Sequence, residues 1–81
     1  MFITLGRWFP SFDRGDKPPV VFYICSPSKQ TAEAAKITMG HFGLKHILIE
    51  EFDDLDASQE YAKQYFCLAE FEFSPFPVNQ I

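Results

Sequence analysis

The sequence predicts a small α/β fold of the mixed α+β type. The expected form is a two-layer sandwich, with a three- or four-stranded mixed sheet and one or two helices in the order β-β-α-β-α, optionally with a final strand. Three observations predict it. Val20 to Cys25 is an unbroken apolar run of strand-forming residues. A stretch with helical spacing follows, bounded by serines at one end and Gly43 at the other. A second short apolar run, Ile47-Leu48-Ile49, comes directly after it. With 81 residues the chain has room for one domain, residues 1–81. Its core draws on ten phenylalanines, and an aromatic side chain buries roughly 150–250 Å².

Met1 to Phe9 alternates imperfectly, with Ile3 and Leu5 on one side and Phe2, Thr4 and Trp8 on the other. That pattern predicts a strand at a sheet edge, ended by Pro10. Asp13-Arg14-Gly15-Asp16 and Lys17-Pro18-Pro19 are turn chemistry. Val20–Cys25, apolar on both faces, predicts a central strand covered on each side.

Ser26-Pro27-Ser28 opens the first helix, where either serine can cap it and Pro27 suits a first helical position. Ala32, Ala35, Met39 and Phe42 form one apolar stripe. Gly43 supplies a left-handed C-cap, and Leu44 the apolar contact that follows it. Lys45–Glu51 is the next strand, completing a β-α-β unit with parallel strands. Asp56 can cap a second helix, with Gln59 closing a capping box. Tyr61, Ala62 and Tyr65, continued by Leu68 and Ala69, are its expected buried face. Residues 66–73 also alternate like a strand, so helix and strand both stay open there. Ser74-Pro75-Phe76-Pro77-Val78 cannot be helical.

The middle of the chain resembles the front half of a glutaredoxin or thioredoxin-like protein. The residues that carry the resemblance are Val20-Val21-Phe22-Tyr23, Pro27, Ala35-Lys36, Gly43-Leu44, His46-Ile47-Leu48-Ile49, the acidic Asp53-Asp54-Leu55-Asp56 and a helix through Tyr61. Phe76-Pro77-Val78 is similar to that family's Thr-Val-Pro segment, whose proline is cis and faces the active site. The family's Cys-x-x-Cys falls on Lys29-Gln30-Thr31-Ala32, where neither end is cysteine. The family's last hairpin and helix have no counterpart, and the first strand is expected to fill the vacant sheet edge. What the resemblance leaves is a monothiol oxidoreductase using Cys25, in Cys25-Ser26-Pro27-Ser28, with Pro77 beside it. A helix N-terminus would depress that thiol's pKa; an inert thiol at the end of an apolar strand is the other outcome.

Charge excludes some functions. Seven basic against eleven acidic residues give a net charge of −4, and the basic residues are scattered. No basic stripe exists to neutralise phosphates, so direct nucleic-acid binding is not expected. Acidic residues are concentrated instead: Glu50, Glu51, Asp53, Asp54 and Asp56, with Glu60 beyond. Such a row is a solvated surface that favours the start of the following helix, or a docking face for a basic partner. No apolar run approaches the roughly 18 residues of a membrane span, and Met1–Phe9 lacks a cationic start and a small-residue cleavage site. A cytoplasmic location with reduced thiols is therefore expected.

No other constellation carries chemistry. His41 and His46 lack metal-ligand spacing, so no metal is expected. Gly40-His41-Phe42-Gly43 is not a phosphate loop, Ser26 and Ser28 lack a nucleophile elbow, and no cofactor is expected. Arg14-Gly15-Asp16 reads as a turn. Ala34, Ile37 and His41 lie opposite the helix's apolar stripe and can form a contact strip. The expectation is a non-enzymatic protein-binding module, a small acidic inhibitor of the kind carried by a virus or mobile element. It would occupy a basic, nucleic-acid-binding surface of a protein through Glu50, Glu51, Asp53, Asp54, Asp56, Glu60, Ala34, Ile37 and His41. A structural homo-oligomer subunit, with a seam of Trp8, Phe9 and Phe71 or Phe73, is the other non-enzymatic option.

Overall fold

A computed structural model of the chain describes residues 1–8 and 18–77. Strand β1 (Phe2–Trp8) is followed by β2 (Val20–Ser26), helix α1 (Lys29–His41), β3 (Lys45–Glu51), helix α2 (Leu55–Tyr65) and β4 (Glu72–Pro75). The described strands form one mixed sheet in the order β3-β1-β2-β4. β1 pairs antiparallel with both β2 and β3, and β4 runs parallel to β2. The α/β fold class and element order match the sequence, and residues 72–75 settle as a strand. Phe9, the Arg14-Gly15-Asp16 turn and Val78 lie outside the described residues.

Strand order departs from expectation. β1 is a central strand, not an edge, and it separates β2 from β3, so the β-α-β unit is split by an antiparallel strand. Thr4, read as part of the strand's second side, is buried, and so is Gly6. They are small enough to lie beneath a closely packed helix.

Residues directly opposite each other in a ladder point to the same face, so the register sorts the core. Ile3, Leu5 and Val21 face α2, where they meet Ala62 and Phe66. Phe22 and Ile24 pack on the other face with Met39 and Leu44 of the α1 segment. The two helices therefore cover opposite faces, giving three layers where two were expected. The apolar run of β2 carried this sign, since its alternate residues serve two cores.

On the α1 side contact is close. A Cβ on Gly6 would lie 2.9 Å from both Leu44 Cδ2 and Met39 Sδ, and the buried Thr4 hydroxyl donates to the Ala32 carbonyl at 3.1 Å. Ser28, not Ser26, is the N-cap. It accepts from the Thr31 N–H, while Thr31 Oγ1 accepts from the Ser28 N–H. At the far end the Gly43 N–H donates to Gly40 and the Leu44 N–H to Met39, with Gly43 at φ +87°. This is a Schellman closure, and Leu44 packs back into the Met39 cluster.

Helix α2 begins earlier than expected. Asp54 is its cap, accepting from the Ala57 N–H at 2.8 Å, and Asp56 sits in the first turn. Its buried face is Ser58, Ala62 and Phe66, spaced by four. Tyr61 and Tyr65, expected inside, are 38% and 49% exposed. With Ser58, Ala62 and Phe66 turned to the sheet, Tyr61 and Tyr65 fall on the flank of the helix and point outward. The helix closes like α1: the Cys67 N–H donates to Gln64 and the Leu68 N–H to Lys63. Cys67, at φ +54°, occupies the left-handed position that glycine holds in α1.

Candidate functional site

Strand β3 lies at one end of the sheet order, paired on one side among the described residues. Met1 and Phe52 exchange bonds in both directions, 2.8 Å from the Phe52 N–H and 3.3 Å from the Met1 amine. Antiparallel pairs alternate between bonded and non-bonded, so Ile3–Glu50 and Leu5–Leu48 are bonded pairs as well. The backbone groups of Ile49 and Glu51 consequently point outward, as does the Ile47 carbonyl. Near its start β3 carries one residue more than β1 between matched positions, and His46 takes φ +53° there. That bulge ends the regular ladder beyond Ile47.

Both faces beside this edge present apolar surface. Toward α2, the Phe52 ring meets Tyr61 edge-on at 5.5 Å, and Tyr61 stacks on Tyr65 at 6.0 Å. Tyr65 then shares a shallow hollow with His46 and Phe66, so the tyrosines run along the length of β3. Toward α1, Gly40 sits over Ile47, within 3.9 Å of where its Cβ would stand. One turn earlier Ile37 is 63% exposed. Sequence reasoning missed the tyrosines. The signal available was Ser58, Ala62 and Phe66, a better-spaced buried stripe than one containing Tyr61.

The acidic residues are contiguous but not equivalent. Glu50 and Glu51 end β3, opposite Ile3 and Phe2, so they face opposite sides of the sheet. Asp53 is exposed in the connection, Asp54 is occupied as the α2 cap, and Asp56 and Glu60 lie exposed one helical turn apart. Ala34, Ile37 and His41 are all exposed on α1, on the sheet face away from α2. The acidic row and the helix strip are therefore not one surface. Ile37 alone lies beside Gly40 and the β3 edge.

Cys25 and Pro77 are not brought together. Cys25 pairs opposite Ile3, on the α2 face, whereas Pro77 lines an apolar groove of about 250 Å³ with Trp8, Phe22 and Phe42 on the α1 face. No described peptide bond is cis, that before Pro77 included. The N-terminus of α1 covers the face away from Cys25, and burial pushes the Cys25 thiol above its ordinary value rather than below it. Nor do Trp8 and the late phenylalanines share a seam: Trp8 packs with Met39 and Phe76, Phe71 and Phe73 with the α2 core. Among the described residues no three His, Cys, Asp or Glu side chains are grouped to hold a metal ion, and no helix is long and apolar enough to cross a membrane. The chain matches no known family model, no curated protein and no solved structure, so its resemblance to glutaredoxins rests on the residues quoted for it.

Proposed function

We propose that this protein is a non-enzymatic binding module that docks on a basic protein surface and acts by occupying it. One observation carries the reading: Glu50, Asp53, Asp56 and Glu60 stand exposed from the end of β3, on the α2 face, into the second turn of α2, with Glu51 exposed on the opposite face of the strand. Carboxylates held on a strand end and a capped helix are fixed in relative position. A partner with matching cations gains on-rate and register from such a row. An inhibitor of a nucleic-acid-binding protein would use the same arrangement, its carboxylates standing where phosphates bind.

Neutralisation tests this without touching the helix cap. The variant Asp53→Asn, Asp56→Asn, Glu60→Gln keeps Asp54 in place. It is expected to lose salt-sensitive capture of a partner from nuclease-treated lysate while retaining its circular dichroism. Capture that survives neutralisation and high salt alike would remove the acidic row from the interface.

A further inference from the structure

We infer that the outer edge of β3 takes an extended segment of its partner as a further antiparallel strand, with basic residues opposite Glu50 and Glu51 and apolar residues opposite Ile47 and Ile49. The inference rests on the docking reading above and gives the basic partner a shape. It starts from backbone chemistry. Leu48 and Glu50 spend their N–H and carbonyl groups on β1, whereas those of Ile49 and Glu51, with the Ile47 carbonyl, point away from the sheet. Among the described residues no strand pairs with them. The bulge at His46 closes the start of the strand, so the open stretch is residues 47–51. An edge that must stay single usually carries a proline or a charge in its middle, and the run Ile47-Leu48-Ile49 has neither. Strand addition to such an edge gains main-chain hydrogen bonds, and the alternate side chains set its specificity.

The two faces of this edge select the occupant. Glu51 and Ile49 stand opposite Phe2 and Thr4, on the α1 face, where Ile47 also packs and Ile37 is exposed. Glu50 and Leu48 stand opposite Ile3 and Leu5, on the α2 face, beside the exposed rings of Tyr61 and Tyr65. Directly opposed residues share a face. An antiparallel segment therefore reads, from its N-terminal end, a base opposite Glu51, a base opposite Glu50, then an apolar residue opposite Ile49 and another opposite Ile47. An arginine opposite Glu50 lies on the face of the two tyrosines, whose rings attract a guanidinium. Residues ahead of the basic pair run on toward Asp53. A second copy of β3 does not supply this order. Its Lys45 stands opposite Arg7 on the α2 face, while Glu51 is on the other, so turning the strand end for end brings no cation to Glu51.

The probe is a synthetic peptide, Lys-Lys-Arg-Val-Thr-Val, acetylated and amidated at its ends and titrated into the isotope-labelled chain. Amide signals of Ile49 and Glu51 should move most. N-methylation of the first valine, which faces Ile49, removes the donor to the Ile49 carbonyl. N-methylation of the threonine alters an N–H that points away from β3. The first should weaken binding about tenfold and the second should leave it within about twofold. On the protein side, Glu51→Gln and Glu51→Pro both lose the charge, and only the proline also loses the outward N–H, a loss an edge strand tolerates. Glu51→Pro should therefore bind the peptide more weakly than Glu51→Gln, with an unchanged circular dichroism spectrum. A peptide that fails to bind up to millimolar concentration overturns the inference. Binding that both methylations weaken equally, or that neither weakens, overturns strand pairing; if salt still weakens it, the acidic docking reading survives. Binding that discriminates the methylations but ignores salt and the variant Glu50→Gln/Glu51→Gln overturns the basic occupant, and the docking reading with it.

Discussion

Helix α1 rests on Gly6, Thr4 and the alanines of its own inner face, whereas α2 reaches the sheet through Ala62 and the large ring of Phe66, among half-buried aromatics on the strands. One interface is made by removing side-chain volume so that backbones approach. The other is made by filling a wider gap with rings. The first tolerates no added atom and the second tolerates no removed ring. Substitutions of opposite kind should therefore separate the two faces.

Truncation on the α2 face should have the largest effect. Phe66→Ala empties a site 7% exposed and is expected to cost about 3–5 kcal/mol, read as a lower midpoint in urea unfolding. Addition on the α1 face comes next. Gly6→Ala must displace Leu44 and Met39 together, at about 1–3 kcal/mol for overpacking. If Gly6→Ala were neutral, the close approach of α1 would not be a constraint and the contrast between the faces would fail.

The same contrast explains what the sequence made legible. α1 announced itself through its opening serines, the stripe of Ala32, Ala35 and Met39 and the Gly43 cap, all of them local signals set by neighbours within a few residues, although Phe42, read as the stripe's fourth member, is 50% exposed. The run Val20–Cys25 likewise showed that both faces of the sheet are covered. What could not be read locally was pairing at a distance. Whether Thr4 and Gly6 face water or a helix depends on β3 returning to the far side of β1, some forty residues later in the chain. The tyrosines misled for a related reason. Tyr61 and Tyr65 are apolar enough to suit a core, and their outward position follows from the Ser58–Ala62–Phe66 stripe taking the sheet side of α2. In the candidate site the acidic row was visible as composition, while its division by the Asp54 cap and the two faces of β3 required the register.

The helix ends sharpen the comparison at a smaller scale. Both close with the same pair of hydrogen bonds, yet α1 has Gly43 at the left-handed position and α2 has Cys67. A side chain there costs about 1–2 kcal/mol, partly offset because glycine also loosens the unfolded chain. Gly43→Ala should therefore destabilise by about 1 kcal/mol, and Cys67→Gly should stabilise by about 0.5–1 kcal/mol, after losing the 3.7 Å contact from the Cys67 thiol to the Gln64 carbonyl. Thermal unfolding of the two variants side by side measures both, and changes of the same sign would show that the two closures are not equivalent.

The smallest effect concerns the remaining thiol. In a Cys67→Ser background, Cys25 alone reacts with iodoacetamide, and only its thiolate does so. Cys25 is exposed, and its partial burial raises the thiol pKa, so less thiolate is present at any given pH than in the unfolded chain. The pH profile of alkylation should therefore shift upward on folding. The linked effect on stability has the matching sign: the fold favours the protonated thiol, and that preference is present below the unfolded pKa and lost as pH rises through the folded one. A profile shifted downward would mean a cation or helix end facing Cys25, contrary to its pairing opposite Ile3, and would reinstate a thiol chemistry that this register places on the wrong side of the sheet.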